Sequence, residues 1–309
     1  MADILSKSVY STAEVAALFS VTETTIKRWV AGGILRCRTT PGGHRRFDAR
    51  DVREFALHHD LLPPGVVLQS DGAGLASSLR HHAERGDLAK LERKLLALAL
   101  KAEGEKLLEF FETVYSSGIP LATLYDDVVQ PALATVGARW ERGEIDVATE
   151  HAATHSVTDA IAAMQSRVRR DPSNGLTALC ASAPNDQHDL GLRCAANILE
   201  ERGWHVHFAG ARTPIESLVT AVRSLRPALV CLSFSSVVRR KDGETLLQTL
   251  RSSFRNPRPE VLLGGAGAAP EYITRGACDA IFTGTAELNA YVLRKVRGTQ
   301  SNQPGKRDA

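Results

Sequence analysis

The sequence predicts a multidomain chain with three folded parts: a winged helix-turn-helix head that is mainly α with a small β wing, a four-helix bundle, and an α/β domain with a Rossmann-like parallel sheet. Two observations lead to this prediction. The apolar residues recur with helical spacing up to about residue 170, and beyond it strand-length apolar runs alternate with helical stretches. The length of 309 residues also exceeds that of one compact domain.

The domain boundaries are placed where this pattern changes. Residues 1–62 form the head, and the Pro-Pro-Gly turn and glycine-rich sequence of residues 63–76 predict a linker, since neither continues a helix or a strand. Helical stretches near residues 88–102, 106–117, 121–140 and 147–168 predict a bundle over residues 77–170. Apolar runs at 176–181, 205–209, 228–233, 261–263 and 280–282 predict the sheet of an α/β domain over residues 171–297. The polar tail, residues 298–309, is predicted to be disordered.

The composition favours a protein of the cytoplasm with no membrane partner. Hydrophobic residues make up 43% of the chain and charged residues 24%, which is ordinary for a soluble protein. No apolar run approaches the roughly 20 residues that a membrane-spanning helix needs. The N-terminus also lacks the basic and apolar regions of a secretory signal.

Positive charge is concentrated in the head, where six basic residues and one acidic residue lie between Thr22 and Phe47. A helix capped by Thr22 exposes Thr24, Lys27 and Arg28, so its polar face can enter a DNA major groove. A glycine-turned segment follows and predicts a hairpin wing. The basic side chains of the wing are Arg38, His44, Arg45 and Arg46.

This arrangement resembles the winged head of the MerR family of regulators over about residues 8–60, with Gly-Gly-His-Arg-Arg-Phe as the most specific match. The resemblance implies that double-stranded operator DNA is a partner. Lys27 and Arg28 are the candidates for base edges or flanking phosphates, and the wing residues for phosphates or a minor groove. The alternative is that these charges form only a solvated face.

An Asp-x-His-x-x-Gly sequence follows the first predicted strand of the α/β domain and contains Asp186, His188 and Gly191. The carboxyl end of a parallel strand is the usual ligand edge of such a sheet. A neutral imidazole there can coordinate a metal through one nitrogen while its other N–H donates to Asp186. Gly191 lets the loop turn close to a bulky ligand. The motif alone is weak, because Asp-x-His loops are more often surface polarity.

Two further features at defined spacing strengthen this interpretation. After Gly191 come 41 residues and then Ser233, and the pair Gly264-Gly265 follows the next predicted strand. The composite resembles the cobalamin-binding domains of methionine synthase and related corrinoid proteins over most of residues 174–292. An α/β domain without a cofactor is the alternative.

The resemblance implies bound cobalamin with His188 as the lower axial ligand of cobalt and Asp186 as its hydrogen-bond partner. It also implies that Ser233 is a further hydrogen-bond partner and that Gly264 and Gly265 line a slot for the nucleotide tail. Ser235 stands where that family usually has Leu, which alters a contact to the tail.

At the junction of the third and fourth predicted helices, Trp140 is followed after nine residues by Glu150 and His151. This resembles the bundle of light-sensing regulators of the CarH and LitR type, which covers the upper face of adenosylcobalamin. The resemblance implies that Trp140 packs beside the adenosyl group and that Glu150 accepts hydrogen bonds from its ribose. The alternative is that Trp140 is an ordinary core residue of the bundle.

The sequence departs from that group at the residue after the tryptophan. The light sensors have a histidine there, which takes the upper position on cobalt after light cleaves the cobalt–carbon bond, whereas this chain has Glu141. Bis-histidine ligation is therefore not expected unless His151 or His155 takes that position.

Taken together, the resemblances predict a cobalamin-dependent transcriptional regulator, a repressor and not an enzyme. Its adenosylcobalamin state, altered by light, would control assembly into a dimer or tetramer and binding to operator DNA. The alternatives are a sensor of oxygen, redox state or cobalamin supply without this photochemistry, and a corrinoid carrier for a methyltransferase. A carrier has no use for Arg45 and Arg46 on a wing.

Overall fold

The computed structural model describes residues 9–40, 42–59, 72–254 and 258–301. The chain packs into two compact units, the first made of Met1–Leu91 with Ser116–Gly118 and the second of Glu92–Tyr115 with Ile119–Ala309. The division near Leu91 falls inside the segment predicted as the bundle, residues 77–170. The domain boundaries given above remain predictions, except for the end of the linker and the start of the tail, which are described below.

The first unit contains a small antiparallel sheet and a helix-turn-helix. In this sheet the strand Arg45–Asp48 lies between Val9–Ser11 and Arg38–Thr39, and Ile26 and Phe47 are fully buried in the core of the unit. Ser11 and Glu14 form a reciprocal capping box at the start of the first helix, and Thr22 accepts a hydrogen bond from Thr25 N at the start of the second. The elements are β1 (Val9–Ser11), α1 (Thr12–Leu18), α2 (Glu23–Ala31), β2 (Arg38–Thr39), β3 (Arg45–Asp48), α3 (Ala49–His59) and α4 (Gly72–Glu84).

The start of α4 corrects the linker prediction. The helix begins at Gly72, so residues 72–76 are helical and not linker, while residues 63–71 lie outside the described residues. Glycines near a helix start are unfavourable by roughly 1 kcal/mol each. Burial of Leu79 and Ala83 on the same helix offsets this cost, and such packing is not visible in local sequence.

The helices predicted as the bundle are present, but the third is not continuous. A π-helical segment, Tyr125–Val129, interrupts it. Pro131 lies two residues after this segment and lacks the amide that would bond to a carbonyl one turn earlier, which weakens regular α-helical bonding there. The helices are α5 (Leu88–Ala99), α6 (Gly104–Ser116), α7 (Leu121–Leu124), α8 (Gln130–Glu141) and α9 (Val147–Met164).

The α/β part confirms the predicted sheet. The elements are β4 (Thr177–Ser182), α10 (Leu190–Glu201), β5 (His205–Gly210), α11 (Ile215–Leu225), β6 (Leu229–Ser233), α12 (Arg240–Ser253), β7 (Glu260–Gly264), α13 (Glu271–Thr274), β8 (Ala280–Phe282) and α14 (Thr285–Ser301). The five parallel strands lie in the order β5-β4-β6-β7-β8, and apolar clusters cover both faces, as a parallel sheet requires.

The strand register determines which loops meet at the carboxyl edge of the sheet. Ser182 pairs with Ser233, and Ser233 pairs with Gly264, so β4, β6 and β7 end at the same level. The three loops that follow these strands therefore lie side by side. They carry the Asp-x-His-x-x-Gly sequence, Ser235 and Gly265.

The C-terminal helix corrects the tail prediction. Helix α14 continues to Ser301, so residues 298–301 are helical, and residues 302–309 lie outside the described residues. In the part of the chain that the structure describes, no helix combines the length and the apolar character needed to cross a membrane.

Gly265 has a backbone conformation and a contact that a larger residue cannot share. Its φ is +92°, and a Cβ there would lie 2.4 Å from the Phe234 carbonyl oxygen. We predict that Gly265→Ala lowers the free energy of unfolding by about 2 to 3 kcal/mol, because strain and overpacking add. The control is Gly276→Ala, since Gly276 has φ +65° but no atom within 4 Å of its Cβ position. Urea unfolding measures both, and equal losses would contradict the prediction.

Candidate cofactor site

The buried carboxylate of Asp186 organises the loop after β4. Asp186 is fully buried, and its carboxylate accepts hydrogen bonds from His188 N at 3.0 Å, Ser235 N at 2.7 Å and Ser235 Oγ at 2.9 Å. The Nδ1 atom of His188 lies 3.0 Å from Asp186 Oδ1. The side chain therefore joins the β4 loop to the β6 loop.

The charge on Asp186 fixes the chemistry of the His188 ring. Burial works to raise the pKa of the Asp186 carboxyl, but the hydrogen bonds from His188 and Ser235 hold it below its usual value. An ionised carboxylate accepts a hydrogen bond from Nδ1–H, which leaves the Nε2 lone pair of a neutral ring free to bind a metal. The His188 side chain is 55% exposed, so that nitrogen can be reached.

A cavity of about 310 Å³ lies within the second unit. Its wall includes Gly191 at the start of α10, Ser233 and Gly264 at the strand ends, and Leu133 of α8. Cys194 of α10 also lines it, and burial raises the pKa of that thiol, which stays neutral. The lining is therefore apolar in the main, with few polar atoms to orient a ligand.

Two of the cavity glycines leave room for a ligand, while the third is required by the protein itself. A Cβ at Gly191 would meet no protein atom within 4 Å, and one at Gly264 would meet nothing closer than 3.6 Å. A side chain at either position would take up ligand space. At Gly265 the limiting contact is the protein backbone, as described above. The residues thus fit an elongated group that enters the cavity past Gly191, which lies three residues after His188.

The two serines that follow the apolar part of β6 have different surroundings. Ser233 lines the cavity, and in the described residues its side chain makes no hydrogen bond. Ser235, expected only to alter a tail contact, holds Asp186 through two hydrogen bonds. Ser182 also takes part, because its Oγ donates to the His188 carbonyl at 3.2 Å. Sequence reasoning missed both roles, although a serine directly beyond a neighbouring strand end was a usable signal.

Trp140, Glu150 and His151 lie near the ends of α8 and α9. Trp140 is 47% exposed, which excludes the alternative that it is a core residue of the bundle. Glu150 accepts a hydrogen bond from Thr154 Oγ1 at 2.9 Å, and His151 Nε2 lies 3.6 Å from a Glu150 oxygen. The ring centroids of His151 and His155 are 6.5 Å apart on one helix face. Polar groups and an exposed indole thus occupy this end of the two helices.

The first unit presents the DNA-binding candidates. On α2, Thr24, Lys27 and Arg28 are exposed while Ile26 is buried. In the wing, His44 and Arg46 are exposed and Arg45 is partly buried. Arg38 forms an ion pair with Asp48, and its Cα pairs with that of Arg46 across the strands. The exposed polar face of α2 agrees with the prediction.

Comparison with protein families finds three matches along the chain. A helix-turn-helix domain matches residues 9–59, and two B12 binding domains match residues 91–165 and 176–293. The B12 binding domain over residues 176–293 covers the sheet with Asp186 and His188, and the one over residues 91–165 covers most of the bundle helices.

Among curated proteins, the chain is 30% identical to the HTH-type transcriptional repressor CarH of Myxococcus xanthus over 76% of this chain and 81% of that protein. It is 24% identical to the repressor CarA of the same organism over 94% of this chain and 98% of CarA. It is also 20% identical to the dimethylamine corrinoid protein of Methanosarcina barkeri, over 53% of this chain and 80% of that protein.

Among solved structures, the monomethylamine corrinoid protein of Methanosarcina barkeri superposes with a TM-score of 0.56. It has 18% sequence identity and covers 67% of this chain and 98% of that one. At this identity the likeness concerns the fold alone.

The bonds from Ser235 to Asp186 give a prediction for the protein without cofactor. We predict that Ser235→Ala lowers the free energy of unfolding by about 1.5 kcal/mol, because a hydrogen bond to a buried charged group is removed. Ser236→Ala is the matched control, since Ser236 is exposed and adjacent. Denaturant unfolding measures both. A loss no greater in Ser235→Ala than in the control would show that the hydroxyl does not support Asp186.

Proposed function

The chain belongs to the family of HTH-type transcriptional repressors that includes CarH, and on this premise we propose that it is a repressor whose adenosylcobalamin state controls its assembly and its binding to operator DNA. The observation that carries the proposal is the His188–Asp186–Ser235 network together with an apolar cavity that Gly191 of the same loop lines. A chain with this site and a helix-turn-helix head can couple a bound cofactor to DNA binding.

His188 would be the lower axial ligand of cobalt. Its ring is oriented by Asp186 and presents the other nitrogen outward, and Asp186 is held in turn by the Ser235 backbone and hydroxyl. The cavity would take the nucleotide tail, with Gly191 and Gly264 leaving space for it. When bound, adenosylcobalamin supplies a cobalt–carbon bond that light can cleave.

The exposed end of the bundle would cover the adenosyl group. Trp140 offers a large apolar surface that is half exposed, and Glu150 and His151 offer hydrogen-bonding groups at the start of α9. An aromatic side chain at this degree of exposure gains free energy when a ligand covers it. Loss of the adenosyl group would remove that cover and favour a different packing of the bundle.

Glu141 favours a second mode of sensing. A carboxylate is a poor ligand for low-spin cobalt, so bis-histidine capture of a photoproduct would need His151 or His155. His151 is exposed and lies beside Glu150, where it is available for such a movement. If neither histidine binds cobalt, the protein would sense cobalamin supply, oxygen or redox state. The signal would then be whether the adenosyl group is present above cobalt.

Operator binding would depend on several heads acting together. The exposed Thr24, Lys27 and Arg28 of α2 would enter a major groove, and His44 and the wing arginines would contact the backbone. One small head makes few phosphate contacts. Assembly into a dimer or tetramer would raise the effective concentration of the remaining heads once the first is bound.

A corrinoid carrier for a methyltransferase is the rival function, since corrinoid proteins are among the relatives. The helix-turn-helix match over residues 9–59 and the basic face of α2 argue for the regulator, because a methyl carrier needs neither.

The lower ligand can be tested by spectroscopy. We predict that purified protein binds adenosylcobalamin in the dark with the spectrum of nitrogen-ligated cobalt. His188→Ala should lose that spectrum and weaken binding by about tenfold or more, because the ligand and its oriented partner act together. His205→Ala is the control, since His205 is an exposed histidine on an edge strand of the same sheet. An unchanged spectrum in His188→Ala would refute the assignment.

The switch can be tested by DNA binding and particle mass. We expect the protein loaded with adenosylcobalamin in the dark to bind its promoter DNA at least about tenfold more tightly than the cofactor-free protein, because assembled heads bind together. Illumination should reduce both the affinity and the mass of the assembly, which electrophoretic mobility shift and light scattering measure. Equal affinity with and without cofactor, dark and lit, would contradict the switch while leaving cobalamin binding intact.

A further inference from the structure

The carboxylate of Asp126, in the π-helical segment, caps a helix that lies far away in the sequence. Its Oδ1 accepts hydrogen bonds from Thr285 N and Thr285 Oγ1, both at 2.8 Å, and its Oδ2 accepts one from Ala286 N at 2.8 Å. These amides open α14 and have no partner within their own helix. A helix is usually capped by a residue just before it, whereas here the capping residue is 159 positions away.

The chain before α14 is shaped to admit this carboxylate. A Cβ at Gly284 would lie 2.7 Å from Asp126 Oδ2, so the residue without a side chain stands where the carboxylate approaches. Thr285 Oγ1 also lies 3.3 Å from the Ala122 carbonyl oxygen, which adds a second contact to the same helical region. We call the contacts of Asp126 with Gly284, Thr285 and Ala286 the Asp126 clasp.

The π-helical segment is held from its other side as well. The Tyr125 hydroxyl accepts a hydrogen bond from Asn197 Nδ2 at 2.8 Å, and the same amide donates to the Ile161 carbonyl. Asn197 belongs to α10, so the segment is fixed both to α10 and to the start of α14. π-Helical turns within α-helices occur frequently at functional sites.

The clasp forms part of the cavity wall. Asp126, Gly284 and Thr285 line the cavity together with Gly191 and Gly264. The cavity is thus closed on one side by helical residues that the clasp ties to the α/β part. Separating the π-helical segment from α14 would open this wall, and it would leave the α14 amides and a carboxylate without partners.

We propose that the Asp126 clasp determines how long the cofactor tail stays in the cavity. Asp126 is a positioning residue in this role, since it acts through the wall and not on cobalt, which His188 would hold. This inference rests on the proposed binding of cobalamin. It adds that retention has a second determinant, remote in sequence from the ligand loop and separate from the Asp-x-His-x-x-Gly motif.

The test compares Asp126→Asn with Asp127→Asn in the full chain. Asp127 is the exposed neighbour, so its replacement removes the same charge without touching α14. Each protein is loaded in the dark with cobalt-57-labelled adenosylcobalamin and chased with an excess of the unlabelled compound. We expect Asp126→Asn to release the label about tenfold faster than wild type, because a charged cap is replaced by a neutral one. Asp127→Asn should stay within about twofold of wild type.

Two further measurements separate the possible failures. The absorption spectrum of loaded Asp126→Asn should match wild type, which shows that the His188 site is intact. Amide hydrogen exchange at Thr285 and Ala286 should be faster in the cofactor-free variant, which reports on the clasp without the ligand. Equal release from Asp126→Asn and Asp127→Asn would overturn the proposal, whereas failure of wild type to bind cobalamin would overturn the proposed function instead.

Gly284→Ala provides a second route if Asp126→Asn does not fold. Gly284 does not have positive φ, so alanine is tolerated by the backbone, and its methyl group displaces the carboxylate. This variant should also release the label faster than Asp127→Asn. If Gly284→Ala folds and loses the hydrogen bonds that Asp126 accepts from Thr285 and Ala286, an unchanged rate of label release would refute the proposed role of the Asp126 clasp.

Discussion

The ligand edge of the sheet depends on one buried carboxylate. Asp186 has no exposed surface, and a buried carboxylate is tolerated only when its oxygens are satisfied by donors. The backbone and ring of His188 and the backbone and hydroxyl of Ser235 supply those donors. The same bonds orient the imidazole and tie the β4 loop to the β6 loop. The same hydrogen bonds therefore both position the imidazole ring and stabilise this edge of the sheet.

The loop after β7 is the third loop of this edge, and its backbone packs closely against the backbone of the loop after β6. Gly267 N donates to the Phe234 carbonyl at 2.8 Å, and a Cβ at Gly267 would lie 2.3 Å from the Ser235 carbonyl oxygen. The loop after β7 can thus lie directly against the loop after β6, which holds Ser235 against Asp186. His188 remains half exposed and yet is restrained by residues that follow three strands. A ring held in this way loses little conformational entropy when it binds a metal.

The parts of the fold that the sequence predicts are those encoded locally. The inner strands β4, β6 and β7 are buried, and they appear in the sequence as continuous apolar runs. The edge strands β5 and β8 are less buried, and they are predicted from the alternation of short apolar runs with helical stretches. The Asp-x-His-x-x-Gly loop is likewise contained in a few residues. The position of Ser235 just beyond a strand end is a signal in the sequence, but it becomes informative only once β4 is known to pair with β6. The role of Asp126 depends on packing across 159 positions and could not be derived from spacing. The early start of α4 reflects the burial of Leu79 and Ala83, which overrides the local glycines, whereas α14 continues through polar residues to Ser301.

Under the proposed function, an ion pair within the wing limits the positive charge that a single head offers to DNA. Arg38 and Arg46 lie directly opposite each other across β2 and β3, and like charges in such a pair destabilise a sheet. Asp48 offsets this by pairing with Arg38, whose pKa it raises by hydrogen bonding. The pair supports the hairpin but reduces the positive charge that the wing offers to phosphates, and salt-dependent affinity falls with the number of phosphates that a head neutralises. A head balanced in this way gains most from being joined to others, because effective concentration then supplies what its own charge does not. Under the proposed function, control of assembly is for this reason a stronger means of regulating DNA binding than any change within the head.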